Sequence, residues 1–108
     1  MDTGPQTKSR RYPRIVLPKG MLVSWQVRIE RVNATATTLG LGGVFVSTPK
    51  PPAVGDIVKL VLRVPDGDVR AVAVVRDTQP GRGMGLEFTA MGQNDRSRWQ
   101  QLLKRLID

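Results

Sequence analysis

A hairpin of two strongly apolar segments constrains this chain more than any other feature of its sequence. Residues 57–64, IVKLVLRV, are a run of mostly β-branched and apolar residues and show the strongest strand pattern in the chain. The turn PDGD follows, in which Pro65 presets φ and Gly67 accepts a positive φ. Residues 69–77, VRAVAVVRD, then predict the returning strand. The centre of the chain is therefore predicted to be antiparallel β-structure.

Weaker strand patterns stand on both sides of this hairpin. They rest on period-2 alternation, on β-branched residues or on short apolar runs between turn signals. Strands are predicted over residues 21–29, 30–38, 44–48 and 85–88, with loops over 49–56 and 78–85. Five or six short strands at this spacing favour an antiparallel barrel or a β-sandwich.

The end of the chain changes period from that of a strand to that of a helix. Trp99, Leu102, Leu103 and Leu106 recur at i, i+3, i+4 and i+7, and Asn94 is the predicted N-cap. This pattern predicts one amphipathic helix whose apolar stripe must dock on an apolar surface. That surface is either the chain's own barrel or a partner protein. In the second case, these four residues form a partner-binding surface.

Composition narrows the possible functions and the compartment. The 108 residues suffice for one domain, and they contain no His and no Cys. The chain therefore lacks the commonest general base and thiolate metal ligands, so we predict a protein that is not an enzyme and has no cofactor. No apolar run approaches the ~20 residues of a membrane span, and the polar start does not resemble a signal peptide. We predict a soluble, cytoplasmic protein without membrane insertion.

Positive charge is concentrated at the start of the chain. Residues 1–31 hold seven basic and two acidic side chains, and thus five of the eight net positive charges. Residues 1–13 contain two prolines and no apolar period, so they are predicted to be a flexible arm preceding a folded domain over 14–108. The distribution favours an anionic partner, although a merely solvated tail is the alternative. Nucleic acid is disfavoured, since residues 32–94 are nearly neutral.

Two short motifs together predict a binding site for a phosphate-containing ligand. RRYPRI places Arg10, Arg11 and Arg14 just before the first strand, and guanidinium groups bind phosphates and stack on nucleobases. TTLGLGGVFV places three glycines within a strand-like segment, where the backbone either bends or is approached closely. An arginine-bearing arm that closes over a glycine-lined surface is a reasonable nucleotide clamp. The alternative is a glycine bend at a barrel corner that binds no ligand.

In sequence order, these features resemble the PilZ domain family from about Arg10 to Leu106. The resemblance rests on the Arg-x-x-x-Arg segment, LGGVFV, PPAVGD before an apolar strand, GMGLEF and the basic amphipathic helix. It implies a six-stranded antiparallel β-barrel and, as in many members, a receptor for the bacterial second messenger cyclic di-GMP. It also implies that Arg10 and Arg14 hold the ligand's phosphates and stack on a guanine, with Arg11 assisting.

The second family motif departs from its usual pattern of Asp or Asn, any residue, Ser, two of any residue and Gly. It aligns with Thr38 to Gly43, so the final glycine is kept as Gly43, next to Gly42, whereas Thr38 and Gly40 replace the acid or amide and the serine. Losing two polar contacts to guanine weakens binding by about 10- to 1,000-fold.

These features leave two possible functions. The first is a cyclic di-GMP receptor that signals through an unidentified effector protein. The second is a degenerate PilZ domain that only binds proteins of motility or surface-assembly machinery.

Overall fold

The computed structural model describes residues 14–107, and these form six strands and one helix. The elements are β1 (Ile15–Val27), β2 (Glu30–Leu39), β3 (Gly43–Ser47), β4 (Ile57–Val64), β5 (Gly67–Gln79), β6 (Gly83–Ala90) and α1 (Gln93–Ile107). The strands pair antiparallel in the order β1-β2-β3-β6-β5-β4, and β4 pairs with β1 to close a barrel. The predicted six-stranded barrel with a C-terminal helix is confirmed, and the sandwich alternative is wrong.

The first strand differs from its prediction at both ends. It begins at Ile15, although Pro18 and Gly20 interrupt the alternation, because a register shift between Val16 and Met21 accommodates them. Gly20 adopts a φ of 71° within this irregular segment. The strand ends at Val27, so the predicted continuation to Ile29 is wrong. Arg28 takes a φ of 55° and Ile29 is 93% exposed, which makes both of them part of a tight turn.

The last two strands are longer than predicted. The predicted loop over 78–85 contracts to residues 80–82, because Thr78 pairs with Met84 and Gln79 with Gly83. Glycine is required at the start of β6, since a Cβ on Gly83 would lie 2.2 Å from the carbonyl oxygen of Val46. The predicted PDGD turn is confirmed, with Gly67 at a φ of 125°.

The core lies inside the barrel and extends to one face of the helix. Alternate residues of each strand point inward, as in Val58, Leu60, Leu62 and Val64 of β4. The start of α1 is set by Gly92, whose carbonyl oxygen accepts a 2.8 Å hydrogen bond from the backbone N–H of Arg96. Asn94 therefore lies inside the first turn, and its prediction as N-cap is wrong. Within residues 14–107, no helix is both long and apolar enough to cross a membrane.

Candidate ligand-binding site

A groove of about 790 Å³ runs along the outside of the barrel, beside the turn that joins β2 to β3. Arg14, which precedes β1, reaches this groove, β5 and β6 form its far side, and the first turn of α1 lies at its edge. Five residues predicted to bind the ligand line it: Arg14, Thr38, Gly40, Gly42 and Gly43. The other two, Arg10 and Arg11, lie outside the described residues. The fold thus brings one arginine of the predicted clamp to the glycine motif.

Strand pairing explains why Arg14 meets the glycine motif. Ile15 pairs with Leu39 in the antiparallel β1–β2 ladder, so the preceding Arg14 lies level with the following Gly40. Arg14 directly precedes β1, is exposed and lines the groove. The β1–β2 register therefore places Arg14 beside the glycine turn.

The glycine turn, residues 40–43, is held by hydrogen bonds from three directions. Within the turn, the N–H of Gly40 donates to the carbonyl of Gly43 at 2.9 Å. The N–H of Phe88 in β6 donates to the carbonyl of Gly42 at 2.8 Å. The indole Nε1–H of Trp99 in α1 donates to the carbonyl of Gly40 at 2.9 Å. Each of these three glycine carbonyls already accepts a hydrogen bond from the protein itself.

The three glycines have different physical reasons for being glycine. A Cβ on Gly43 would lie 2.0 Å from the carbonyl oxygen of Leu86, so only glycine allows β3 to approach β6 here. A Cβ on Gly40 would meet nothing closer than 3.7 Å, and one on Gly42 would meet nothing within 4 Å. None of the three adopts a positive φ. The prediction of close approach is therefore confirmed for Gly43 and wrong for Gly42.

Several charged residues of the groove were not predicted from the sequence. Arg76 of β5 and Glu87 of β6 form an ion pair at the far side of the groove, with side chains 62% and 53% exposed. Asp77 lines the same side, and Arg96 of α1 lies at the helical edge. Strand alternation indicates that Glu87 faces outward, because Leu86 is an inward residue, but it does not reveal which strand lies beside it.

The apolar stripe of α1 docks on the chain's own barrel. Trp99, Leu102 and Leu103 are buried in the core, and the Trp99 ring packs edge-on against Phe88 at a centroid distance of 5.7 Å. These three side chains are therefore not accessible to a partner, and for them the intramolecular alternative is correct. Leu106 is 41% exposed, so of the four stripe residues it alone retains substantial accessibility to another protein.

Solved structures share this fold at low sequence identity. The Bacillus subtilis inhibitor of motility MotI/DgrA superposes with a TM-score of 0.75 and 23% identity, over 89% of this chain and 50% of that chain. YcgR from Escherichia coli, solved in complex with c-di-GMP, gives a TM-score of 0.75 and 15% identity, over 91% of this chain and 46% of that one. The chain thus spans about half the length of these two proteins.

A solved single domain matches the chain over nearly its whole length. It is the PilZ domain of CeSA from a cellulose-synthesizing bacterium, with a TM-score of 0.67 and 18% identity, over 88% of this chain and 98% of that chain. No curated protein sequence matches the chain. The model of the PilZ domain family matches residues 8–107, which include both sequence motifs and all the described secondary structure up to the end of α1. The chain belongs to the PilZ domain family.

Proposed function

We propose that this PilZ domain is a cyclic di-GMP receptor that signals through contact with an effector protein. The observation that carries the proposal is the convergence of Arg14 and the glycine turn on one groove. Its volume, about 790 Å³, lies within the usual range for small-molecule sites. The groove offers guanidinium groups at Arg14 and Arg96 to an anionic ligand.

In this proposal, phosphate capture comes from arginine and not from a metal ion. A guanidinium donates two parallel hydrogen bonds to a phosphate and stays charged at all physiological pH values. Arg14 supplies one such group at the groove, and Arg10 and Arg11 supply the others from the adjoining segment. Ligand binding draws that segment onto the glycine turn and changes the surface that the effector contacts. Within residues 14–107, no cluster of His, Asp or Glu suited to a metal ion is found.

The proposal also covers the compartment of the receptor and the kind of effector that it contacts. The relative YcgR was solved with c-di-GMP bound, and MotI is named as an inhibitor of motility. We propose a cytoplasmic adaptor without catalytic activity, whose effector belongs to motility or surface-assembly machinery. The buried helix stripe is not its contact surface, since Trp99, Leu102 and Leu103 belong to the core.

Titration of the chain with cyclic di-GMP, by calorimetry and by amide NMR shifts, tests the proposal. Replacing Arg10 or Arg14 by Ala is expected to weaken binding by about 10- to 100-fold, because each removes a charge-assisted phosphate contact. Arg63→Ala is the matched control, since Arg63 is an exposed arginine outside the groove that pairs with Asp68 at 3.4 Å. No response at high micromolar ligand would contradict the proposal, as would equal affinities for the wild type and both groove variants.

A second candidate function is a degenerate domain that binds only protein. It is favoured by Thr38 and Gly40, which offer fewer hydrogen-bonding groups than the family's motif. This alternative is testable by substitution, because a Cβ at Gly40 would lie 3.7 Å from its nearest atom, which is ordinary van der Waals contact. Cyclic di-GMP binding that appears only in the double variant Thr38→Asp, Gly40→Ser supports this alternative. Binding by the wild-type chain contradicts it.

A further inference from the structure

If the proposed function holds, the groove must recognise a guanine base. The glycine turn and Thr38 offer few free hydrogen-bond acceptors for that purpose. The Watson–Crick edge of guanine presents two adjacent N–H donors, at N1 and at the 2-amino group, and a carboxylate accepts both at once. Thr38 offers one hydroxyl. The carbonyls of Gly40, Gly42 and Gly43 already accept bonds from Trp99, Phe88 and Gly40, respectively. Each of those carbonyls has one lone pair left and none presents two adjacent acceptors, so a carboxylate from another element fits the guanine edge better than the turn does.

Glu87 is the carboxylate closest to the glycine turn in the strand ladder. It is the register partner of Gly43 in the β3–β6 pairing and points outward into the groove. Because Gly43 has no side chain, nothing on β3 at this position covers the Glu87 side chain. The Phe88 N–H that follows it donates to Gly42, which fixes the backbone of β6 against the turn.

Arg76 prepares Glu87 for this role in two ways. Its Nε donates to Oε1 of Glu87, which orients the carboxylate on the open strand face. The ion pair also has no net charge, so the carboxylate is presented without repelling the two phosphates of a cyclic dinucleotide. A lone carboxylate in the same groove would repel them.

An aromatic side chain also lines the groove on the β3 side. Phe45 pairs with Gly85 in the β3–β6 ladder, two positions along β3 from Gly43, and its ring lies over Gly83. Aromatic side chains stack on nucleobases, so Phe45 gives the groove an apolar surface in addition to its charged groups.

We propose that Glu87, oriented by Arg76, accepts the two N–H groups of guanine and makes this groove selective for guanine over adenine. Adenine has an acceptor at N1 where guanine has a donor, so its edge repels the same carboxylate. This inference rests on the proposed function and goes beyond it, because it assigns base recognition to a strand remote in sequence from the glycine motif. The competing carboxylate is Asp77, which pairs with Gly85 on the next strand and accepts a 3.4 Å bond from Gln79.

The test compares cyclic di-GMP with cyclic di-AMP on the full chain, by calorimetric titration at fixed salt concentration. The measured quantity is the ratio of the two affinities, because both ligands carry the same phosphates and any general charge effect cancels. Glu87→Thr is expected to lower the preference for cyclic di-GMP by about tenfold. Glu87→Gln retains one acceptor and is expected to give an intermediate ratio. Asp77→Thr removes the other carboxylate from the same face of the groove and serves as the matched comparison.

The outcomes separate this inference from the proposed function. The assignment is supported if the wild-type chain prefers cyclic di-GMP over cyclic di-AMP, Glu87→Thr abolishes that preference and Asp77→Thr retains it. An unchanged preference in Glu87→Thr, with amide NMR spectra showing an intact fold, overturns the assignment and leaves the receptor function standing. Loss of preference in Asp77→Thr instead also overturns it. Failure of the wild-type chain to bind either dinucleotide overturns the receptor function itself.

Discussion

The β4–β5 hairpin and the glycine turn between β2 and β3 differ in what holds their backbones. The hairpin pairs without a register shift from Ile57–Val74 to Val64–Gly67, and neighbouring residues along the chain determine its turn. The glycine turn depends on residues far along the sequence: Leu86 and Phe88 from β6 and Trp99 from α1. The hairpin is thus a local structure that supplies core, whereas the turn is assembled by the closed barrel and borders the ligand groove.

The difference shows where substitutions should affect stability, ligand binding or both. Hairpin core residues face the barrel interior, so their loss should reduce stability without altering the groove. Residues that hold the glycine turn contribute to both, because they pack in the core and also position the groove wall. The following substitutions test this distinction, beginning with the largest expected effect.

Gly43→Ala is expected to destabilise the fold by about 4 kcal/mol, enough to unfold much of a marginally stable domain. The added Cβ would lie 2.0 Å from the backbone carbonyl oxygen of Leu86, so β3 and β6 must separate. Urea unfolding monitored by circular dichroism measures the loss. A variant as stable as the wild type would show that β3 does not approach β6 as closely as described.

Leu62→Ala is expected to cost about 3 kcal/mol, because it removes a fully buried side chain from the hairpin core. Its affinity for cyclic di-GMP should equal that of the wild type under conditions where the variant remains folded. Chemical unfolding and calorimetric titration of the same sample give the two quantities. A clear loss of affinity in the folded variant would show that the hairpin core also affects the groove. It would contradict the distinction between the hairpin and the glycine turn.

Trp99→Phe is expected to cost about 2 kcal/mol, since it leaves the carbonyl of Gly40 without its indole donor and opens space in the core. It should also weaken cyclic di-GMP binding by about threefold, because the turn loses its connection to α1. Trp25→Phe is the matched control: Trp25 is also buried, but within residues 14–107 its indole Nε1–H has no hydrogen-bond partner, so no such bond is lost. Equal affinities for the two variants would show that the Trp99 bond does not position the turn.

Gly42→Ala is expected to raise stability by about 0.5 kcal/mol, the smallest effect of the series. A Cβ at this position meets nothing within 4 Å, and the φ is not positive, so alanine only restricts the unfolded chain. The thermal midpoint of unfolding measures this change. Marked destabilisation would mean that Gly42, like its neighbour Gly43, is in close contact with another strand.

Much of the fold follows from local patterns in the sequence. The apolar, β-branched runs at 57–64 and 69–77, joined by the PDGD turn, identified β4 and β5 as a hairpin. The irregular start of β1 and the short loop over 80–82 escaped prediction. In both cases, pairing with a neighbouring strand overrides weak or interrupted local patterns.

The ligand groove was predictable only in part. Arg14 and the glycine motif were identified as residue types suited to phosphate and close backbone approach, and the fold places them together. Arg76, Glu87 and Arg96 could not be assigned to the groove, because nothing in their local sequence shows which strand or turn lies beside them. The stripe of α1 was recognised as apolar, but its burial depended on the shape of the barrel that it meets.

The amino-acid sequence by itself determined the strand segments, the β4–β5 turn and the amphipathic helix, because these depend on side-chain period and on the φ preferences of Pro and Gly. Only the tertiary structure decided that Gly43 has no room for a side chain, that Trp99 holds Gly40 and that Glu87 lies beside the glycine turn. These contacts join residues 43 or more positions apart, and their geometry exists only once the order of strands in the closed barrel is established.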